Sequence, residues 1–262
     1  MTISSDELER FRIDGRVAVV IGGSGGIGAR LCAALAGVGA RLVVVGRDRE
    51  RATAALDDAG GDGIAMAADV TRKADADEAV EAGVQAFGRV DVLVNAAGGG
   101  AGGALYPAEH YPESEWDRML DLNLRSALLP SQAAARAMIA GGRGGRVLHV
   151  SSVRARLGID NGFSAYVAAK GALEALTRQQ ATEWARHGIT VNAISPTFVR
   201  TPQVEDLLAD ADFRTALYRR IPLGRIAEAD DLVGAVLLLV SDASAFITGQ
   251  VLTLDGGLTA CQ

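Results

Sequence analysis

The chain has 262 residues and a formal net charge of −6, from 26 basic and 32 acidic side chains. This negative balance argues against nucleic acid or an acidic membrane as a partner, and no apolar run approaches the roughly 18 residues that a membrane helix needs. The first residues are charged, and the two cysteines lie far apart without any metal-ligand spacing. We therefore expect no signal peptide, no disulfide and no metal site, and we expect a cytoplasmic protein.

The apolar pattern alternates between buried strands and helices along the whole chain. Strands are predicted at 16–23, 41–46, 64–70, 90–98, 145–150, 189–196 and 250–257, and helices at 25–40, from about 48, and at 74–88, 113–140, 164–188 and 227–242. Residues 196–225 are expected to form a mobile substrate lid with short helices. Near-continuous Val, Ile and Leu strands that alternate with helices are typical of a parallel sheet covered on both faces. The sequence therefore predicts an α/β fold, with a single domain over 1–262 built on a Rossmann-type, doubly wound, parallel seven-stranded sheet with helices on both faces.

A glycine-rich turn joins the first predicted strand to the first helix. Gly22, Gly26 and Gly28 give the spacing G-x-x-x-G-x-G. Glycines at such a turn allow positive φ and let the backbone approach a pyrophosphate, which sits at the N-terminus of the following helix. The turn predicts a dinucleotide site at the carboxyl end of the sheet, where Asn95, Ser152 and Pro196 also end or follow strands.

The end of the second strand indicates which dinucleotide is preferred. An acidic residue there would bind the ribose hydroxyls of NAD, but this chain has Gly46 followed by Arg47. Glycine leaves room for a 2′-phosphate, and an arginine can pair with it. Asp48 is interpreted as the N-cap of the next helix rather than as a ribose ligand. We therefore predict NADP(H), with NAD(H) less favoured.

The stretch from Ser151 to Lys170 carries the chemistry. A serine pair follows the fifth strand, and Tyr166 and Lys170 lie four residues apart near the start of a helix, on one face. An ammonium about 4 Å from a phenol supplies on the order of 4 kcal/mol, so we expect Lys170 to lower the pKa of Tyr166 towards neutrality. Of the 26 basic residues only Lys73 and Lys170 are lysines, which suggests that position 170 needs a compact ammonium.

Several motifs together resemble the short-chain dehydrogenase/reductase family, in its branch of about 250 residues, over essentially the full chain. They are IGGSGGIG at 21–28, DV at 69–70, NAAG at 95–98, Asn123 in LNLRS, Ser152, YVAAK at 166–170, SPTFVRT at 195–201 and DGG at 255–257. The resemblance implies an oxidoreductase with Asn123, Ser152, Tyr166 and Lys170 as its catalytic residues. Tyr166 would be the general acid/base, Lys170 would assist it, Ser152 would hold the substrate oxygen, and Asn123 would bend its helix around a water of the proton relay.

The same resemblance implies the cofactor contacts. These would be Gly22, Ser24, Gly25, Gly26, Ile27, Gly28, Arg47, Asp69, Val70, Asn95, Ala96, Gly98, Tyr166, Lys170, Pro196, Val199 and Thr201. Asp69 and Val70 would meet the adenine, and Val199 and Thr201 would face the carboxamide. The chain departs from the family pattern at Ile21, Ala96 and Thr197, and none of these changes removes a reacting group. Ser152 lies 14 residues before Tyr166, one more than is usual, so Ser151 is a rival for its role. Ser152 is preferred, because Ser151 better fits the buried last position of the strand.

The substrate is indicated by the segment after Ser152. SVRxxxGIxNGxSAYVAxKG resembles family members that act on sugar acids and polyols, the gluconate 5-dehydrogenase-like group. This resemblance implies that Arg154 pairs with a substrate carboxylate and Asn161 with hydroxyls. A reductase of 3-oxoacyl thioesters or of another ketone is the alternative, because the loop after NAAG lacks the arginines that this group often carries. A catalytically silent nucleotide-binding regulator is the remote alternative.

Assembly is expected by analogy with the family. The helical patterns at 113–140 and 164–187 are rich in alanine and leucine on more than one face, as are helices buried against a partner subunit. The resemblance implies a homotetramer.

Overall fold

The computed structural model describes residues 5–99, 105–159 and 162–260, and its centre is one parallel sheet. The strands are β1 (Val17–Ile21), β2 (Arg41–Gly46), β3 (Gly63–Ala67), β4 (Val92–Asn95), β5 (Gly145–Val150), β6 (Ile189–Pro196) and β7 (Val251–Leu254), in the order β3-β2-β1-β4-β5-β6-β7. All pairings are parallel. The seven-stranded doubly wound sheet is therefore confirmed, and β1 lies at the point where the strand order reverses.

Ten α-helices accompany the sheet in the described part of the chain. They are α1 (Ser5–Glu9), α2 (Gly26–Gly37), α3 (Arg49–Ala59), α4 (Lys73–Phe87), α5 (Glu113–Leu120), α6 (Ser126–Gly141), α7 (Ser164–Trp184), α8 (Glu205–Ala209), α9 (Ala211–Arg220) and α10 (Asp230–Val240). None of them is both long enough and apolar enough to cross a membrane.

Two hydrophobic layers hold these helices against the sheet. Alternate residues of β1 face opposite sides: Ala18 and Val20 pack with α2, α3 and α10, whereas Val17, Val19 and Ile21 pack with α4, α6 and α7. Burial of both faces explains why these strands are apolar without alternation. The two layers therefore cover both faces of the sheet.

The boundaries of four strands differ from the predicted ones, and β1, predicted at 16–23, spans Val17–Ile21. β3 ends at Ala67, β4 at Asn95 and β7 at Leu254, each before the predicted end. Residues after β3 turn away because Asp69 accepts hydrogen bonds from the backbone and hydroxyl of Thr71 (3.1 and 2.7 Å). After β3 and β4 the apolar residues continue past the last residue that pairs with a neighbouring strand. Apolar composition therefore predicted strand ends that are too late.

The predicted single helix at 113–140 is divided in the structure. α5 and α6 are separated by one π-helical turn, Asp121–Arg125, and buried Asn123 lies in the middle of this turn. The Asn123 amide donates to the Met119 carbonyl (3.2 Å), and the Ser126 hydroxyl donates to the Leu122 carbonyl (2.6 Å). Side chains thus bond backbone carbonyls where the regular helix ladder is interrupted.

The predicted short helices of the lid are present. A 3₁₀ turn (Pro202–Val204), α8 and α9 form a small layer of their own around four buried residues, Leu208, Leu217, Ile221 and Ile226. The mobility of this segment stays a prediction.

Candidate functional site

The carboxyl ends of β1, β4, β5 and β6 lie side by side, and the candidate site is built on them. Gly22 follows β1, Asn95 ends β4, Ser152 follows β5 and Pro196 ends β6. These four strands are neighbours in the sheet, so residues far apart in sequence meet at one edge. This is where ligands bind in doubly wound sheets.

Ser152 is the serine that faces Tyr166. Its hydroxyl is close enough to the phenol of Tyr166 to lower the pKa of that phenol, and its Oγ accepts a hydrogen bond from the Arg154 backbone N–H (3.2 Å). Ser151 lies on the other side, where its hydroxyl donates to Glu174 Oε1 (3.4 Å). Ser152 is therefore the serine brought together with Tyr166, as the sequence analysis preferred.

The expected effect of Lys170 on Tyr166 is wrong. Lys170 Nζ lies 5.8 Å from the centroid of the Tyr166 ring and donates to the Val150 carbonyl (2.9 Å). Burial raises the pKa of Tyr166 above its ordinary value, and the Ser152 hydrogen bond and the Arg154 charge act in the opposite direction. Burial also lowers the pKa of Lys170 to about 8. The phenol is thus held in its protonated form by its apolar surroundings.

Asn123 and Lys170 close around Gly98. Asn123 Oδ1 accepts a hydrogen bond from the Gly99 N–H (3.0 Å). A Cβ at Gly98 would lie 2.8 Å from Asn123 Oδ1 and 3.3 Å from Lys170 Nζ, and the φ of Gly98 is +139°. Only glycine fits this position, so the NAAG segment, the π turn and the Tyr/Lys helix are fixed against each other.

The glycine turn fits a dinucleotide. Gly22 has φ +75°, and a Cβ there would lie 2.7 Å from the Ala97 N atom, so the turn packs directly on the NAAG segment. A Cβ at Gly26 would lie 2.9 Å from Thr201 Cγ2, which brings the loop after β6 to the same place. Gly25, the N-cap of α2, offers no side-chain acceptor to the first N–H groups of the helix. Those groups and the close backbone form an anion-binding corner.

Four more of the predicted cofactor contacts are at least partly buried side chains on the elements around the glycine turn. Ile27 and Ala96 pack against the apolar layer of α2, Val199 is buried and forms a parallel bridge with Ala227, and Val70 is buried beside exposed Asp69. Gly28 permits close packing of α2 on the turn, because a Cβ there would collide with the Gly22 carbonyl.

Basic side chains surround the end of β2. Gly46 is buried against the Ser24 hydroxyl, and a Cβ at this position would collide with it. Exposed Arg47 follows, and Asp48 caps α3 by accepting from the Arg51 N–H (3.1 Å), which confirms the predicted cap. The Arg51 guanidinium donates a hydrogen bond to the Ser24 carbonyl (3.4 Å). Sequence analysis missed Arg51, although the basic run RDRER was a visible signal.

Asn95 belongs to a buried polar chain that sequence analysis also missed. Its Nδ2 contacts Ser131 Oγ and His149 Nδ1 (both 3.1 Å), and His149 Nε2 contacts Gln180 Oε1 (3.1 Å). Burial lowers the pKa of His149 to about 4, so the imidazole is neutral. No partner for Asn95 Oδ1 is found in the described part of the chain. A lone histidine in a strand gave no sequence signal for this network.

Arg154 is a buried cation beside the phenol. Its side chain is largely enclosed, the residue being 9% exposed, and its guanidinium donates to the Gly158 carbonyl (3.5 Å). No ion pair joins it to a carboxylate within residues 5–99, 105–159 and 162–260. Burial lowers the pKa of Arg154, and the charge of Arg220 on α9 acts in the same direction. Asn161, the other predicted substrate contact, lies outside the described residues, and Arg220 was not predicted.

Known proteins resemble this chain over nearly its whole length. A family model described as enoyl-(acyl carrier protein) reductase matches residues 22–259. An uncharacterised oxidoreductase of Mycobacterium tuberculosis is 39% identical over 262 residues, which cover 97% of this chain and 95% of that protein. The gluconate 5-dehydrogenase of Gluconobacter oxydans is 37% identical over 253 residues, 95% of this chain and 96% of that protein.

Solved structures extend the likeness to the fold. A gluconate 5-dehydrogenase from Burkholderia cenocepacia, solved in complex with NADP and tartrate, has a TM-score of 0.90 and 35% identity, and the match covers 97% of this chain and 99% of that chain. With the family model matched over most of the sequence and the parallel sheet present, the chain belongs to the short-chain dehydrogenase/reductase family of oxidoreductases.

Proposed function

We propose that this protein is an NADP(H)-dependent oxidoreductase that interconverts a secondary alcohol and a ketone, with a sugar acid or polyol as its substrate. The observation that carries the proposal is the meeting of Ser152, Tyr166 and Lys170 beside the glycine turn of Gly22. The similarity to a gluconate 5-dehydrogenase supports it.

The proton chemistry follows from the surroundings of Tyr166. Burial keeps the phenol protonated at neutral pH, so Tyr166 can donate a proton to a carbonyl oxygen during reduction and accept one from a hydroxyl during oxidation. Ser152 holds the substrate oxygen, and together with the Arg154 charge it stabilises the phenolate left behind. The bound nicotinamide supplies or accepts the hydride. Lys170 and Asn123, next to each other at Gly98, hold the ribose side of the site and pass the proton onward.

The cofactor is proposed to be NADP(H) because the end of β2 carries no acid. Gly46 cannot be replaced by a larger residue without moving Ser24, and Arg47 and Arg51 offer two guanidinium groups to a 2′-phosphate. The pyrophosphate would lie at the start of α2, the adenine at Asp69 and Val70, and the carboxamide at Val199 and Thr201. The NADP bound in the Burkholderia enzyme supports this choice.

The substrate class rests on Arg154. Arg154 is a buried residue that has no ion pair with a carboxylate among the described residues, and burying a cation in this way is costly unless an anion joins it. A substrate carboxylate would provide that anion next to the proton donor. Asn161 is proposed to bind substrate hydroxyls, and residues 196–225 to act as a mobile lid of the single domain.

A homotetramer is proposed as the working assembly. Phe246 is fully exposed, and Leu252 on the edge strand β7 is exposed as well. Apolar side chains beside an unpaired sheet edge favour burial against another copy of the chain.

A substrate screen tests the activity. We expect NADPH oxidation with 5-ketogluconate, weaker turnover of an uncharged ketose, and little turnover of an acetoacetyl thioester. Turnover of the thioester alone would point instead to a 3-oxoacyl-thioester reductase. Binding of NADPH without turnover of any carbonyl compound would indicate a nucleotide-binding regulator.

The Tyr166→Phe variant tests the mechanism in the same assay. It removes the proton donor but keeps the ring, so we expect kcat to fall by about 10²–10⁴-fold while the Kd for NADPH changes by no more than about twofold. Undiminished turnover would contradict the role of Tyr166.

A further inference from the structure

Glu174 is a buried carboxylate that the proposed mechanism does not use. It lies on α7 four residues after Lys170 and eight after Tyr166, so all three side chains share one face of the helix. The residue is 4% exposed. An enclosed carboxylate is costly unless donors surround it, so its partners indicate what it is for.

Both partners of Glu174 belong to the short segment that follows β5. Oε1 accepts from the Ser151 hydroxyl (3.4 Å), and Oε2 accepts from Arg156 Nε (3.0 Å). The charge-assisted bond to Arg156 is the shorter of the two. Ser152 and Arg154 lie between these two donors, so Glu174 holds the catalytic serine segment at both of its ends.

The geometry of the segment explains the consequence for Ser152. Ser152 has extended backbone angles (φ −162°, ψ 150°), and successive residues of an extended chain point to opposite sides. Ser151 points to Glu174, whereas Ser152 points away from Ser151 and lies beside the Tyr166 phenol, about two helical turns before Glu174 on α7. Just before the segment, Lys170 Nζ binds the Val150 carbonyl (2.9 Å), so α7 anchors the chain on both sides of Ser152.

We propose that Glu174 is a positioning residue that selects Ser152, rather than Ser151, as the partner of Tyr166 by binding Ser151 and Arg156. The proposal rests on the proposed function, because it assumes that Ser152 holds the substrate oxygen. It assigns no contact of Glu174 with substrate or cofactor.

A double-mutant cycle between Glu174 and Ser152 tests the proposal. In Glu174→Leu we expect kcat to fall about 10- to 100-fold, because the serine is displaced, while the Kd for NADPH stays within about twofold. In a Ser152→Ala background the same change should lower kcat by less than about threefold, because Glu174 acts through Ser152. Equal losses in both backgrounds, or an unchanged kcat in the single variant, would overturn the proposal.

Two further variants separate positioning from folding. Glu174→Gln keeps an acceptor oxygen and the side-chain volume, so we expect it to retain more activity than Glu174→Leu. Glu183→Leu is the matched control, because Glu183 is an exposed residue of the same helix and should leave kcat unchanged. If Glu174→Leu does not fold, the double variant Ser151→Ala, Arg156→Ala, which removes both donors to Glu174, carries the cycle, and an unchanged kcat in it would likewise overturn the proposal.

Crystal structures of the wild type and of Glu174→Leu give a readout that needs no activity. We expect the distance between the Ser152 hydroxyl and the Tyr166 phenol oxygen to be larger in the variant than in the wild type. A serine that stays on Tyr166 overturns the positioning role. If the wild type reduces no carbonyl compound, the proposed function fails, and the structures still decide what Glu174 does.

Discussion

Arg47 and Arg51 provide the sharpest residue-scale test of cofactor preference. Each guanidinium can pair with a 2′-phosphate, and hydrogen bonds to charged groups contribute about 1.5–3 kcal/mol. We therefore expect Arg47→Ala and Arg51→Ala each to lower kcat/KM for NADPH by about 10-fold or more while kcat/KM for NADH stays nearly constant. Steady-state kinetics with both cofactors measures this.

The control for these variants is Arg41→Ala. Arg41 lies at the opposite end of β2, where it pairs with Asp62 (3.1 Å). Its replacement should leave the ratio of kcat/KM for NADPH to kcat/KM for NADH unchanged. An equal loss of kcat/KM with NADPH and with NADH in Arg47→Ala would show that Arg47 does not bind the 2′-phosphate.

His149 makes the stability of the protein depend on pH. Burial lowers its pKa from 6.5 to about 4, so between these values the unfolded state binds a proton that the folded state does not. The stabilisation is present in full above pH 6.5 and is lost as the pH falls to 4, and by linkage it amounts to about 3 kcal/mol. Urea unfolding between pH 7 and pH 4 measures this loss.

Two variants identify His149 as the source of that loss. In His149→Gln the decrease between pH 6.5 and 4 should be smaller by roughly the same amount, because glutamine does not titrate. His110→Gln, at an exposed position, should keep the wild-type slope. A slope that is identical in wild type and His149→Gln would contradict the assignment.

The four-residue spacing of Tyr166 and Lys170 predicted a shared helix face, and the structure has it. Spacing does not say where a long flexible side chain ends, and the Lys170 ammonium binds the Val150 carbonyl instead of lying against the phenol oxygen. Burial then controls the pKa of Tyr166, with Ser152 and Arg154 opposing it. The pKa of Tyr166 therefore depends on burial by several elements, and a pattern of residues close together in the sequence does not encode that burial.

Replacing glycine by alanine is expected to destabilise the glycine turn and to stabilise helix α10. Gly22 has φ +75°, and a Cβ there would press on the Ala97 backbone at 2.7 Å, whereas exposed Gly234 in the interior of α10 has open space around it. Gly22→Ala should therefore raise the Kd for NADPH more than about 10-fold and lower Tm. Gly234→Ala should raise the free energy of unfolding by about 0.5–1 kcal/mol.

Cofactor fluorescence titration and thermal unfolding of the two variants check these outcomes. A Gly22→Ala protein that binds NADPH like the wild type would contradict the packing of the turn on the NAAG segment. If Gly234→Ala is less stable than the wild type, the added methyl group must collide with another group on this face of α10, which would contradict the open space around Gly234.

The long helix at 113–140 shows the limit of periodicity as a guide to elements. Its apolar pattern predicted one continuous helix, yet Asn123 and Ser126 bond backbone carbonyls and α5 and α6 are separated by a π turn. The resemblance to the family did predict a bend at Asn123. The direction of its side chain, towards the Gly99 N–H, required the neighbouring segment.

At the scale of the whole molecule, the exposed edge of β7 predicts assembly. Phe246 and Leu252 would lie in water in an isolated chain. We expect light scattering to give the mass of four chains for the wild type and a smaller mass for Phe246→Glu, because a charge is costly in an apolar interface. A monomer mass for the wild type would contradict the proposed homotetramer.

The amino-acid sequence was enough to predict the parallel sheet, the order of strands and helices along the chain, and the glycine turn. Periodicity, glycine spacing and the cap at Asp48 are local properties, so they can be read along the chain. The tertiary structure was needed to show that the Arg51 guanidinium lies by the Ser24 carbonyl, and that Arg154 is buried without a carboxylate partner among the described residues. These outcomes depend on burial and on contacts between segments far apart in sequence, and the energy of a charge or a hydrogen bond is set by those surroundings.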